Sequence, residues 1–197
     1  MSKFISYLLE EATEKKDFGK TIAIVAGSMK PPHAGHWDMV QQYAEKADEV
    51  IVLISDPKSE KSIRKTALGT TITPQMSKEI FELYIKKYGL SNKVKVEVSK
   101  EPSPITAMFK YVDDNLKDVN VIFGVSKKGG DESRFKSAIK YYADNEHINL
   151  LDPMTTAVEP YKSADGKEIS ATDLRDNIDN PAFVKSMLPD KLSASDV

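Results

Sequence analysis

Two of the chain's three histidines, His33 and His36, lie three positions apart in the run Gly27-Ser28-Met29-Lys30-Pro31-Pro32-His33-Ala34-Gly35-His36. An imidazole can donate an N–H, and Lys30 carries a point charge, so the run holds three groups suited to phosphate oxygens. Pro31 and Pro32 stiffen the segment by fixing φ. Gly27 permits close approach of backbone to a ligand, and Gly35 leaves room for a bulky anion where a helix begins. A helix N-terminus adds unpaired N–H groups and the positive end of the helix dipole. The competing chemistry is a metal pair, which needs further ligands. Asp38 is the only carboxylate close by in sequence. The third histidine, His147, precedes an apolar run and reads as structural.

The elements that must position this segment follow from periodicity. Thr21 to Ala26 is a continuous apolar run, as expected of a strand buried on both faces, and the histidine segment follows it directly. Val50–Ile54, Val94–Val98, Val119–Phe123 and Ile148–Leu151 read as four more strands; the alternation in Val94–Val98 suits an edge. Between them, apolar residues recur at helical spacing from Val40, from Met76 to Tyr88, from Ile105 to Leu116 and from Phe135 to Ala143. Thr73-Pro74 and Ser103-Pro104 are helix starts and Gly89 is a helix stop. The β-α-β order predicts an α/β fold, a doubly wound, mostly parallel five-stranded sheet with helices on both faces. Ligands of such sheets bind at the carboxyl ends of the strands, where strand order reverses. The histidine segment is expected there.

Bulk properties narrow the partners. With 197 residues, the chain suits one domain. Residues 3–14 read as an amphipathic helix, giving a division into 1–18 (helix and linker), 19–189 (the domain) and 190–197 (a disordered tail). The formal net charge of -2 provides no global field for nucleic acid or an anionic membrane. No apolar run reaches membrane-spanning length. The chain has no cysteine, which excludes disulfides and thiol chemistry and fits a cytoplasmic setting.

Three further segments bear on the site. Ile169-Ser170-Ala171-Thr172-Asp173-Leu174-Arg175 is a hydroxyl-rich helix start with an arginine one turn on. Ser170, Thr172 and free N–H groups can cradle phosphate, and Arg175 can clamp it. Gly124-Val125-Ser126-Lys127-Lys128-Gly129-Gly130-Asp131 follows the fourth strand. It reads equally as a solvated glycine-rich turn or as a ligand loop through Gly124, Ser126 and Asp131. Lys58, Lys61, Arg64 and Lys65 lie in a polar stretch that is either a solvated loop or a mobile lid. Met76-Ser77-Lys78 echoes a lysine signature of class I aminoacyl-tRNA synthetases, but it sits mid-chain on a helix and is taken as coincidence.

The histidine segment resembles the first signature of the HxGH-type nucleotidylyltransferase superfamily, Gly-Ser/Thr-Phe-x-Pro-x-His-x-Gly-His, with Met29 in place of phenylalanine. Residues 169–175 resemble its Ile-Ser-Ser-Thr-x-Ile-Arg signature, with Ala171 in place of a serine, and Phe183 to Pro189 resembles its closing segment. The resemblance implies a Rossmann-like domain that joins a nucleoside triphosphate to a phosphorylated acceptor and releases pyrophosphate. Catalytic roles then fall to His33, His36 and Lys30. Gly27, Ser28, Met29, Gly35, Gly124, Ser126, Asp131, Ser170, Thr172 and Arg175 are expected to bind nucleotide and phosphate. Magnesium is expected to arrive with the triphosphate. Arg175 and the Pro31-Pro32-His33 form favour ATP and an acceptor such as nicotinamide mononucleotide. CTP with a small phosphorylated alcohol or sugar is the alternative, and a non-catalytic nucleotide-binding protein is a second one.

Overall fold

The computed structural model describes residues 16–56, 59, 62–128, 135–163, 166, 168–193, 195 and 196. The expected helix at 3–14, and Lys58, Lys61 and Asp131, lie outside the described residues. Five strands form one parallel sheet: β1 (Thr21–Gly27), β2 (Glu49–Ser55), β5 (Val94–Ser99), β6 (Val119–Gly124) and β7 (Ile148–Leu150). Their order is β5-β2-β1-β6-β7. The chain builds outward from β1 to β2 and β5, then returns to the other side of β1 for β6 and β7. The reversal falls between β1 and β6, which pair from Thr21 with Asn120 to Val25 with Gly124. All five strands match the expectation from sequence, including β5 at an edge.

Strand periodicity sorts the core into two layers. Ala23 and Val25 of β1 with Val50, Val52 and Ile54 of β2 face one cluster. Ile22 and Ile24 with Ile51 and Leu53 face the other, because successive side chains leave a strand on opposite faces. Helices α1 (Ala34–Lys46) and α2 (Pro74–Tyr88) cover the first face through Trp37, Tyr43, Phe81 and Tyr84. Helices α3 (Pro104–Asn115) and α4 (Lys136–Tyr141) belong to the second face. Each fully buried large side chain contributes about 1.5–3 kcal/mol, far above the few tenths that separate most helix propensities. Burial therefore decides where these helices lie. Their ends follow local chemistry: Thr73 Oγ1 accepts from Met76 N at 3.1 Å, and Gly89 closes α2 at φ 71°. No described helix is long and apolar enough to cross a membrane.

Two expectations change. The polar stretch after β2 contains a small antiparallel hairpin, β3 (Arg64–Lys65) with β4 (Thr71–Ile72). Its turn closes through Gly69 N to Thr66 O and Thr66 N to Thr70 O, both 2.9 Å, and Ile72 is buried beneath it. The segment read as a tail from residue 190 instead packs on the end of α2. Leu192 is buried beside Leu188, the Tyr88 hydroxyl donates to Asp190, and Lys87 pairs with Asp196 at 3.1 Å. Leu188 and Leu192, four apart, bring the segment back to the core. Short helices α5 (Pro153–Thr156), α6 (Ala171–Asp176) and α7 (Pro181–Met187) complete the fold.

Candidate active site

The histidine segment leaves β1 at Gly27, at the carboxyl edge beside the reversal point. Met29 takes φ 46°, a left-handed conformation that bulky side chains rarely adopt, and the Lys30–Pro31 peptide is cis. Positive φ costs a non-glycine residue about 1–2 kcal/mol; burial of Met29 in the first core cluster offsets it. Its side chain folds back over Gly27, where an added Cβ would come 2.9 Å from Met29 Cε. Methionine thus acts as an apolar plug at the start of the loop.

His33 is the N-cap of α1. Its Nδ1 accepts from Gly35 N at 3.1 Å, and His36 Nδ1 accepts from His33 N at 3.4 Å, a reciprocal cap built from two histidines. The rings stack with centroids 3.8 Å apart. Because each Nδ1 accepts, each neutral ring carries its proton on Nε2. Two Nε2–H donors therefore sit at the start of a helix. An added Cβ on Gly35 would lie 3.1 Å from His33 Cε1 and 3.4 Å from Ile169 Cγ1, so this glycine lets the ring and the second signature meet.

Both imidazoles are held uncharged. Burial, then the charges of His36 and Lys128, push His33 down to about 2; burial, then Lys128, lower His36 to about 4. Below the ordinary histidine value of about 6.5 the unfolded chain binds more protons than the folded one. Stability is complete above about pH 6.5 and falls as pH drops towards 4 for His36, and further for His33. Each ring contributes at most about 1.4 kcal/mol per pH unit. Urea unfolding at pH 7 and pH 5 should show a larger loss for the wild type than for His36→Asn. An equal loss in both proteins would contradict the uncharged state of His36.

A cavity of about 470 Å³ opens above these rings, a volume suited to a small ligand. Gly27, Ser28, Met29, His33, Gly35 and His36 form its floor. Gly124 and Ser126 reach it from the end of β6, and Ser170 from the second signature. At Gly124 an added Cβ would come 2.6 Å from Val25 Cγ2, so glycine lets the end of β6 close against β1. The buried Tyr43 hydroxyl donates to Val125 O at 2.7 Å and accepts from Val125 N at 2.9 Å, which fixes where that loop departs.

Lys30, Thr172 and Arg175 do not line the cavity; they are bonded to one another instead. Arg175 Nη1 donates to Lys30 O and Nη2 to Thr172 Oγ1, both at 2.8 Å. Lys30 is buried, and burial lowers its pKa while the charge of Asp56 raises it and that of Arg64 lowers it. Arg175 feels burial first and then Arg64, both lowering its pKa. Ser170 caps α6 by accepting from Asp173 N at 3.2 Å and donates to Asp173 Oδ2 at 2.7 Å. His147 stands apart, bonded to Asp118 at 2.8 Å near the opposite end of the sheet.

Sequence reasoning missed Lys128, which lines the cavity and whose charge reaches both histidines. It lay within a segment whose role was open, and its place after the fourth strand was the available signal. Ser103, Met108 and Tyr161 also line the cavity; they come from distant elements and share no motif. Among the described residues no three His, Asp or Glu side chains converge as metal ligands. The donors here suit an anion.

Residues 24–177 match the model of the cytidylyltransferase-like family, and the chain belongs to that family. It is a member of the nucleotidylyltransferase superfamily by that match. Solved structures share the fold at low identity. A putative nicotinate-nucleotide adenylyltransferase from Vibrio parahaemolyticus superposes with TM-score 0.53 at 16% identity, covering 87% of this chain and 96% of that one. A bifunctional NMN adenylyltransferase/ADP ribose pyrophosphatase from Francisella tularensis gives 0.50 at 15% identity, over 90% of this chain and 46% of that one. A NadR protein in complex with NR gives 0.50 at 18% identity, over 89% and 45%. This chain thus spans under half the length of the last two. No curated protein sequence matches it.

Proposed function

We propose that the protein transfers AMP from ATP to a phosphorylated acceptor such as nicotinamide mononucleotide and releases pyrophosphate. The observation that carries this reading is the pair of uncharged imidazoles, each with an Nε2–H, at the start of α1 in the cavity floor. An acceptor phosphate oxygen is already ionised at neutral pH and needs no strong base. It attacks the α-phosphorus; the new P–O bond forms as the bond to the β-phosphate bridging oxygen breaks, and pyrophosphate leaves. His33 and His36 donate to the α-phosphate as its charge redistributes. Negative charge beside a ring favours its protonated form, so their hold strengthens as the transition state develops. Arg175 and Lys30 act on the floor of the site and on the field that favours phosphate. The names of the neighbours, which act on nicotinate nucleotide and NMN, support the acceptor class.

The test is pyrophosphate release with ATP or CTP against a panel of acceptors: nicotinamide and nicotinate mononucleotides, phosphopantetheine, glycerol phosphate and sugar phosphates, all with magnesium. Turnover with ATP and a pyridine mononucleotide is expected. Turnover with CTP and an alcohol phosphate would move the protein to the cytidylyltransferase alternative. Binding without turnover across the panel would leave a non-catalytic nucleotide-binding protein.

A further inference from the structure

We propose that Lys128 is a polyphosphate-binding residue of the cavity that Glu168 holds until a nucleoside triphosphate displaces the carboxylate. The inference rests on the nucleotidyl-transfer reading. Lys128 stands four residues beyond the end of β6, and its N–H donates to Ser126 Oγ at 3.2 Å. It lines the same cavity as His33 and His36. Its Nζ lies 2.9 Å from Glu168 Oε2, one residue before Ile169, which abuts Gly35. The ion pair therefore joins the loop after β6 to the second signature. The exposed pair of Lys110 with Asp114 on α3 provides an internal contrast. Neither Lys110 nor Asp114 lines that cavity.

Magnitudes decide which partner wins. Both members of the Lys128–Glu168 pair are about half exposed, 48% and 46%. Such a pair holds its partners by a factor of roughly five at most. A charge-assisted hydrogen bond to phosphate is worth about tenfold or more. A triphosphate reaching the cavity takes Lys128 from Glu168, whose only effect on binding is to compete for that ammonium. The two residues of one ion pair thus act on binding with opposite signs, which a purely structural tie does not do.

The test is isothermal titration calorimetry of the full chain with magnesium ATP, magnesium CTP and pyrophosphate, using K128Q, E168Q, the double variant and K110Q. For whichever probe binds, K128Q is expected to weaken affinity about tenfold or more. E168Q is expected to tighten it roughly two- to fivefold. The double variant should match K128Q, and K110Q should match the wild type. If both single variants weaken binding, or neither changes it, the exchange is overturned while nucleotide binding stands. If the wild type binds none of the three probes, this inference and the reading beneath it fall together.

Discussion

Replacing His36 with alanine is expected to cut pyrophosphate release by at least roughly a hundredfold, the usual cost of removing one preorganised donor to a developing charge. The fold should survive. His36 is only partly buried; it stacks on the His33 ring and accepts from the N–H of His33 at 3.4 Å. The residue is partly exposed and lines the cavity, so water can replace that acceptor. Circular dichroism and thermal melting separate the two effects. His33→Ala is a poorer probe, because it also removes the helix cap, a loss of about 0.5–2 kcal/mol. A folded His36→Ala protein with near-normal turnover would remove His36 from the mechanism.

The second large effect is expected from Arg175→Lys. This change keeps the charge and loses the fork. In the wild type one guanidinium joins Lys30 O and Thr172 Oγ1 at 2.8 Å each, a planar two-point bridge that an ammonium on a flexible stem does not reproduce. Hydrogen bonds from charged donors are worth about 1.5–3 kcal/mol each. Losing even one should lower turnover roughly tenfold or more and lower the melting temperature as well. Thr172→Val, which removes the second contact alone, should have the same direction and a smaller size. Wild-type turnover and stability in Arg175→Lys would show that charge, not bridging, is what Arg175 supplies.

The sheet was legible because its strands are apolar on both faces and strongly periodic, as in Thr21–Ala26 and Val50–Ile54. The candidate site was legible where chemistry and spacing coincide, at His33, Gly35 and His36, which line one cavity. What stayed hidden depends on contacts between distant segments. Strands of two residues, such as Arg64–Lys65, carry no usable period. Leu192 looks like an isolated apolar residue in a polar end until Leu188 and the end of α2 surround it. Arg175 reads from sequence as a phosphate clamp; only the folded chain brings it to the carbonyl of Lys30. Lys128 is one of two adjacent lysines, and nothing local distinguishes the one that lines the cavity.

The reach of the Arg175–Lys30 bridge has a consequence for the order in which the protein is made. The two residues lie 145 positions apart, and Ile169, which abuts Gly35, is nearly as distant. A growing chain on the ribosome can assemble β1, α1 and β2 early, since their contacts are close in sequence. Its histidine loop gains its rear support only after Arg175 has left the exit tunnel. Competence is therefore acquired late in synthesis, and a chain cut short before residue 169 would present the histidines without the wall and brace that complete the site.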